Sequence, residues 1–227
     1  MVRSEQRGFL GILMLDTKFP RPLGDIGNSE TFHRLGIPVR FLTVRGASPK
    51  RIVQEADPAL LQPFVDAGRE LASQGARMIS TSCGFLASYQ DHLSKAVPVP
   101  VITSSLLQCA RLSRPGIVTI DAASLDDRIL AAAGVPPGTP VQGVEPGCEF
   151  HRRILGDETQ LDTAKAEQDV IAAARLLIER HPSVAEIVLE CTNMPPYRQA
   201  VMDATGREVH DIVSLLTTAW AGLPKAA

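Results

Sequence analysis

The sequence lacks the long apolar runs and blocks of like charge that are typical of several protein classes. Its 227 residues are 44% hydrophobic and 21% charged, with a formal net charge of only −2. This balance excludes fibrous, disordered and membrane proteins and argues against a nucleic acid or an anionic membrane surface as a partner. The first 20 residues contain a short apolar patch but no small-residue cleavage site, so we expect an unprocessed cytoplasmic protein. A small molecule is the expected ligand.

Cofactor and metal motifs are also missing. The sequence contains no G-x-G-x-x-G, no G-x-x-x-x-G-K-[ST] and no H-E-x-x-H, which removes the usual dinucleotide, P-loop and zincin interpretations. Its four cysteines are far apart and form no C-x-x-C pair, so we expect reduced thiols and no disulfide framework. We therefore expect a site that uses no cofactor and no metal.

Short apolar runs that alternate with amphipathic stretches predict an α/β fold. Runs typical of buried parallel strands occur at 11–16, 39–44, 77–82, 100–104, 116–120, 140–145 and 186–190. The stretches between them have helical spacing, and the longest, from about 161 to 180, ends before Pro182. This alternation predicts mainly parallel sheets flanked by helices.

A weak internal repeat divides the chain into two similar halves. In the first half, one strand ends in MLDT (14–17) and the third in STSCG (80–84); in the second half the equivalents are TIDA (119–122) and LECTN (189–193). We predict two pseudo-symmetric lobes with the active site in the cleft between them. The first lobe comprises 1–105 plus 212–227, where a C-terminal helix packs back, and the second comprises 106–211. The crossover is expected within 101–116.

Two cysteines fall where parallel sheets bind ligands. Cys83 and Cys191 each follow a predicted strand and precede a predicted helix. A helix N-terminus stabilises a thiolate, so we expect the pKa of each thiol to fall from about 8.5 towards neutrality. A thiolate on one wall and a thiol on the other can invert a stereocentre by removing a proton from one face and returning one to the opposite face. From their local sequence alone, a structural role is equally compatible, and it is the one expected for Cys109. Cys148, with His151 three positions on, is expected in a loop rather than in a metal site.

Polar residues beside these strand ends are candidates for substrate binding. Backbone N–H groups and nearby side chains would hold a carboxylate next to the reacting carbon; the candidate side chains are Thr17, Ser82, Thr119, Thr192 and Asn193. Asn193 is also a predicted cap for a helix that begins at Pro195 or Pro196. Asp16 is equally compatible with capping and with orienting Cys83. The loop at 18–32 is compatible with a lid or with a plain series of turns.

Three motifs are spaced along the chain: Asp16-Thr17 after the first strand, SCGF around Cys83 and ECTN around Cys191. Together they resemble the aspartate/glutamate racemase superfamily over essentially the whole chain. That superfamily includes glutamate, aspartate and hydantoin racemases, with arylmalonate decarboxylase and maleate isomerase as relatives. The resemblance implies a pyridoxal-independent racemase or epimerase of an amino acid or related carboxylate, in which the two cysteines transfer protons at the α-carbon. It also implies a homodimer and a pocket lined by Asp16, Thr17, Arg45, Gly84 and Phe85.

The motifs differ from those of glutamate racemase. That enzyme has a motif similar to Cys-Asn-Thr at the first thiol and one similar to Cys-Thr-His at the second. Here the two stretches are Cys83-Gly84-Phe85 and Cys191-Thr192-Asn193, without the histidine that would assist the second thiol. We therefore do not expect a cell-wall glutamate racemase. Arylmalonate decarboxylase keeps only the second cysteine, whereas maleate isomerase has both. A cis-trans isomerase or a decarboxylase of the same superfamily is the alternative enzyme, and an inactive ligand-binding protein is the alternative from another class.

Overall fold

The computed structural model describes residues 8–224, which form two four-stranded parallel sheets. In the first sheet the order is β2-β1-β3-β4, with β1 at Phe9–Leu15, β2 at Val39–Val44, β3 at Ala76–Thr81 and β4 at Val101–Ile102. In the second the order is β6-β5-β7-β8, with β5 at Pro115–Thr119, β6 at Val141–Gly143, β7 at Glu186–Leu189 and β8 at Glu208–His210. The same order in both sheets confirms the predicted α/β class and the pseudo-symmetric lobes.

Helices flank both sheets. Their bounds are α1 Ser29–His33, α2 Leu61–Ser73, α3 Gln90–Ala96, α4 Asp127–Ala132, α5 Glu149–Leu155, α6 Thr163–Arg180, α7 Arg198–Thr205 and α8 Ile212–Ala221. Short 3₁₀ helices lie at Pro58–Leu60, Gly84–Tyr89, Ser105–Arg111 and Pro195–Tyr197, and a π-helical turn lies at Lys50–Gln54. The long helix predicted at about 161 to 180 is thus α6, capped by the side chain of Asp162.

Strand β1 is buried along its whole length because helices cover both faces of its sheet. On one face Leu10 and Ile12 belong to a core with Ile212 and Leu216 of α8. On the other face Leu13 belongs to a larger core that includes residues of both lobes. Successive side chains of a strand point to opposite faces, so this one strand contributes to both cores.

The chain crosses between the sheets where the crossover was expected. After β4, the 3₁₀ helix Ser105–Arg111 leads into β5 of the second sheet. After β8 the chain returns, and α8 packs on the first sheet through Ile212 and Leu216. The exact lobe boundaries stay a prediction. Strand β8 was not predicted, because its three residues contain only one fully buried side chain, Val209, and form no apolar run.

Among residues 8–224, no helix combines the length and the apolarity that a bilayer crossing requires. The basic start of the sequence, at residues 1–7, lies outside the described residues. The cytoplasmic location and the homodimer stay predictions.

Candidate active site

The two predicted catalytic thiols occupy equivalent places in the two lobes. Strand β3 ends at Thr81 and β7 at Leu189, and Cys83 and Cys191 each follow two residues later. The turns that carry them are joined directly, because the hydroxyl of Thr192 donates to the carbonyl of Ser82 over 2.7 Å. This buried hydrogen bond fixes the end of one sheet against the end of the other. Both thiols therefore face one space between the lobes.

That space is a small closed cavity. Cys83 is 8% and Cys191 is 7% exposed. The lining residues are Leu15, Phe19, Pro49, Val53, Ser82, Cys83, Phe85, Ile120, Ile154, Leu155, Glu190, Cys191 and Asn193. Its volume is about 20 Å³, enough for about one water molecule. A cavity of this volume has no room for a carboxylate substrate, so in this conformation, here called the closed form, a substrate enters only when part of the wall moves.

The predicted lowering of the thiol pKa values was wrong for this closed form. Burial, with the charge of Glu190 as the second cause, raises the pKa of Cys83 to about 12, although the N–H groups of Phe85 and Leu86 oppose the rise. The pKa of Cys191 is raised for the same two reasons. Each thiol precedes only a short 3₁₀ helix, whose few N–H groups do not offset the loss of water. Burial therefore keeps both sulfurs protonated at neutral pH.

Glu190, which the sequence analysis did not select, is the third ionisable group of the cavity. It is fully buried between β7 and Cys191, and burial raises the pKa of its carboxyl to about 7. The hydroxyl of Thr119 donates to Oε2 over 2.7 Å. Gly84 makes room for this carboxyl, because a Cβ at that position would lie 2.2 Å from Oε1. An acidic residue at the end of an apolar strand was the available signal, since such residues are rarely buried without a partner.

A series of hydrogen bonds connects the thiol of Cys191 to the loop after β1. The thiol donates to Oδ1 of Asn193 over 3.6 Å, and Nδ2 of Asn193 donates to the buried carboxylate of Asp25 over 2.7 Å. Arg21 donates to Asp25 and also to the hydroxyl of Thr17, each over 2.9 Å. Asn193 thus links Cys191 to Asp25. The predicted capping role was wrong, because the N-cap of the 3₁₀ helix Pro195–Tyr197 is Met194. The loop after β1 therefore contributes Asp25 and Arg21 to the site. Its Pro, Gly and Asn content did not predict this role.

The same loop is attached to the second lobe. The N–H groups of Lys18 and Phe19 both donate to Oδ1 of Asp157, over 2.6 and 3.3 Å. Asp157 follows α5, whose Ile154 and Leu155 line the cavity, and it adopts a positive φ of 50°. These contacts hold Phe19 against the opposite wall. The loop therefore covers one side of the closed cavity.

Of the other residues predicted to bind the substrate, some line the cavity and some do not. Ser82 and Phe85 line the cavity, whereas Gly84 and Thr119 contact the carboxyl group of Glu190. Asp16 and Arg45 are exposed, and a carboxylate oxygen of Asp16 accepts from the N–H of Gly46 over 3.0 Å. Their roles in substrate binding stay predictions.

A larger groove lies next to the closed cavity. Its volume is about 500 Å³, and its walls come from the π-helical turn, the 3₁₀ helix after Cys83 and α4. Val53 and Phe85 line both the groove and the cavity, so these two side chains form the partition between them. The π-helical turn ends beside Ala56, which has a positive φ of 46°. Irregular turns of this kind occur frequently at functional sites.

The other two cysteines lie away from the cavity. All four cysteines are free thiols, with Cys109 fully buried in the 3₁₀ helix that joins the sheets and Cys148 half-buried before α5. Within the described part of the chain, no group of three or more His, Cys, Asp or Glu side chains is arranged to hold a metal ion.

Solved structures with this arrangement of sheets come from decarboxylases and racemases. An arylmalonate decarboxylase variant in a sulfate-associated form superposes with a TM-score of 0.61 at 17% identity, covering 96% of both chains. Allantoin racemase from Pseudomonas fluorescens gives 0.59 at 16% identity, covering 96% of this chain and 94% of the other. Aspartate racemase from Picrophilus torridus gives 0.58 at 12% identity, with 96% of each chain covered. The chain has the fold of the aspartate/glutamate/hydantoin racemase superfamily.

Curated proteins that are similar to this chain in sequence have a different activity in their names. Dimethylsulfoniopropionate lyase 7 from Emiliania huxleyi is 29% identical over 94% of this chain and 67% of its own length. Dimethylsulfoniopropionate lyase from Durusdinium sp. clade D is 28% identical over 90% of this chain and 71% of its own length. The chain therefore spans about two thirds of these relatives. No family model matches the sequence.

Proposed function

We propose that this protein is an enzyme that removes the proton next to a substrate carboxylate with a cavity thiol and expels a leaving group from the adjacent carbon. The observation that carries the proposal is the convergence of Cys83, Cys191 and Glu190 on one closed, largely apolar cavity. The names of the curated relatives, which match over at least 90% of this chain, support elimination over racemisation. The expected substrate is dimethylsulfoniopropionate or a close analogue.

The chemistry of such an elimination is balanced without a cofactor. A thiolate takes the proton from the carbon next to the carboxylate, and the electrons of that C–H bond form the new carbon–carbon double bond. The bond between the next carbon and sulfur breaks, and its electrons stay on sulfur. Dimethylsulfoniopropionate would thus give acrylate and dimethyl sulfide, with the proton left on the thiol. Racemases of this fold begin with the same proton removal, so the difference lies in the substrate's leaving group.

The closed cavity favours this chemistry once a substrate is bound. In a site that excludes water, interactions with the developing charge on the carboxylate are stronger than in solution. The raised thiol pKa values also make each thiolate a strong base, although an ionised thiol is rare until a ligand stabilises it. The backbone N–H groups that surround Cys83 and Cys191 are the proposed donors to the substrate carboxylate.

Racemisation of an amino acid or related carboxylate is the second candidate, and the placement of the thiols favours it. One thiol comes from each lobe, as two-base inversion of a stereocentre requires. Elimination needs only one base, so the two functions differ in how far they depend on the second cysteine. Deuterium exchange at the α-carbon without product release would support this candidate.

The two candidates are separated by one set of measurements. The protein is incubated with dimethylsulfoniopropionate while dimethyl sulfide is followed in the headspace, and with a panel of amino acids in deuterated water. We expect dimethyl sulfide release, and its loss in at least one of the Cys83→Ala and Cys191→Ala variants. Cys109→Ala, which removes a buried thiol outside the cavity, is the matched control. Full release by both cavity variants would refute the proposed base, and release by neither wild type nor control would refute the lyase.

A further inference from the structure

One oxygen of the Glu190 carboxyl is buried without a hydrogen-bond partner. Oε2 accepts from Thr119, but Oε1 has no partner within residues 8–224. The residue is fully buried and lines the cavity with the two thiols. A buried polar atom without a partner is destabilising, and more so if it is charged, so such an atom requires an explanation.

The cavity contains acids but no cation to compensate them. Among the described residues that line it, none is Lys, Arg or His. Arg21 is close enough to lower the pKa of Cys83, but it is hydrogen-bonded to Asp25 and Thr17. Three acidic groups thus face one narrow space, and each is neutral only while it keeps its proton. A bound cation would stabilise the ionised forms of all three.

The walls indicate which kind of cation fits. A primary ammonium group brings three N–H donors that need three acceptors. The cavity offers few, since eight of its thirteen lining residues are Leu, Ile, Val, Pro or Phe. A methylated onium group has no N–H or O–H donor, and its methyl groups pack well on apolar and aromatic side chains. Phe19 and Phe85 supply the aromatic surface of the cavity, with the guanidinium of Arg21 over the Phe19 ring at 4.6 Å.

We propose that Glu190 recognises a methylated onium group, a sulfonium or a quaternary ammonium, on a small carboxylate substrate. Oε1, which lies next to Gly84, is the oxygen left for the cation, while Thr119 donates to Oε2. This inference rests on the proposed function, because it places the onium on the molecule whose α-proton a thiol removes. Glu190 is in this sense a specificity-determining residue.

Binding of the cation also changes the protonation of the site. The groups that face Glu190 are Cys83 and Cys191, with Asp25 and Arg21 behind them. Burial raises the pKa of Glu190 to about 7, so at pH 6 the carboxyl is mostly protonated. A cation next to Oε1 lowers that pKa, and the carboxyl releases its proton on binding. A ligand of the same shape without the cationic charge causes no such release.

Two unreactive ligands that differ only in charge test the inference. 3-(Trimethylammonio)propanoate contains N⁺ where 4,4-dimethylpentanoate contains carbon, so carboxylate and shape are matched. Their binding to the wild-type protein is measured by calorimetry at pH 6 in buffers of different ionisation enthalpy. We expect the cation to bind at least about tenfold more tightly and to release protons, as a buried charge pair predicts. Equal affinity for the two ligands, or binding of neither, would overturn the inference without reference to any variant.

The Glu190→Gln variant locates the preference. It keeps the shape of the side chain and an oxygen for Thr119, and we expect the preference to fall to about threefold or less, the remainder coming from the aromatic walls. Glu186→Gln is the matched control, because Glu186 lies at the other end of β7, where it accepts from Ser113 and Arg114. An unchanged preference in the Glu190 variant would contradict the assignment.

The binding tests do not depend on turnover, so the two proposals can fail separately. A charge preference without any release of dimethyl sulfide would refute the lyase and leave the onium site standing. Release of dimethyl sulfide with equal binding of both ligands would do the opposite. If both hold, Glu190→Gln should raise KM for dimethylsulfoniopropionate more than it lowers kcat, because the onium contact is present before the proton is removed.

Discussion

Replacing Glu190 with Gln should make the protein's stability less dependent on pH. Burial raises the pKa of this carboxyl from an ordinary 4.5 to about 7 in the folded state. The folded protein therefore holds the proton more tightly than the unfolded chain does. The corresponding stability is fully present below pH 4.5 and is lost as pH rises through 7. Gln does not titrate, so the variant lacks this loss.

The size of the effect follows from the two pKa values. The rise from 4.5 to about 7, at 1.36 kcal/mol for each pH unit, corresponds to roughly 3 kcal/mol. Most of it, about 2.5 kcal/mol, falls between pH 5 and pH 8. Domains are stable by only about 5–15 kcal/mol, so this change is a large share of the total.

Urea unfolding of both proteins at pH 5 and pH 8 measures the effect. We expect the stability of the variant, relative to wild type, to improve by about 2.5 kcal/mol between the two conditions. Glu186→Gln shows what loss of a carboxylate from the same strand does outside the cavity. A difference between Glu190→Gln and wild type that is the same at both pH values would refute the idea that Glu190 is a protonated buried acid.

Three further predictions concern packing and access. Gly84→Ala should lower the melting temperature strongly, because the new Cβ would lie 2.2 Å from Oε1 of Glu190; Gly36→Ala, with φ +70° and open space around it, should cost only about 1–2 kcal/mol. Asp157→Gly should raise the labelling rate of the cavity thiols roughly tenfold, since the loop after β1 loses both hydrogen bonds, whereas Asp157→Asn keeps an acceptor. Leu216→Ala should cost about 2–5 kcal/mol in urea unfolding if α8 is integral to the first core; a cost below about 1 kcal/mol would contradict this.

The positions of the two thiols could be predicted from the sequence because they depend on local pattern. Apolar runs of strand length end just before Cys83 and Cys191, and parallel strands bring their carboxyl ends to one edge of a sheet. The internal repeat then places one thiol in each lobe. These inferences need no knowledge of contacts between distant residues.

The protonation of the site could not be predicted in the same way. The pKa of Cys83 depends on how much water the folded chain excludes and on the neighbouring carboxyl of Glu190, which is 107 positions away in sequence. Asp25 and Arg21 belong to the site only because Asn193 reaches across from the second lobe. A loop rich in Pro and Gly gives no local sign of such contacts. Burial and long-range hydrogen bonds depend on the complete fold, so they cannot be predicted from the hydrophobic periodicity of the sequence.

The two passages of the chain between the lobes lie side by side. One is the 3₁₀ helix Ser105–Arg111, and the other is the turn at Asp211 that leads into α8; Nε2 of Gln108 donates to the carbonyl of Asp211 over 3.2 Å. Because the two passages are adjacent, any separation of the lobes is limited to rotation about the line through them, and it must break the hydrogen bond from Thr192 to Ser82. The site would then widen by rotation and close again to the same registration of thiol against thiol.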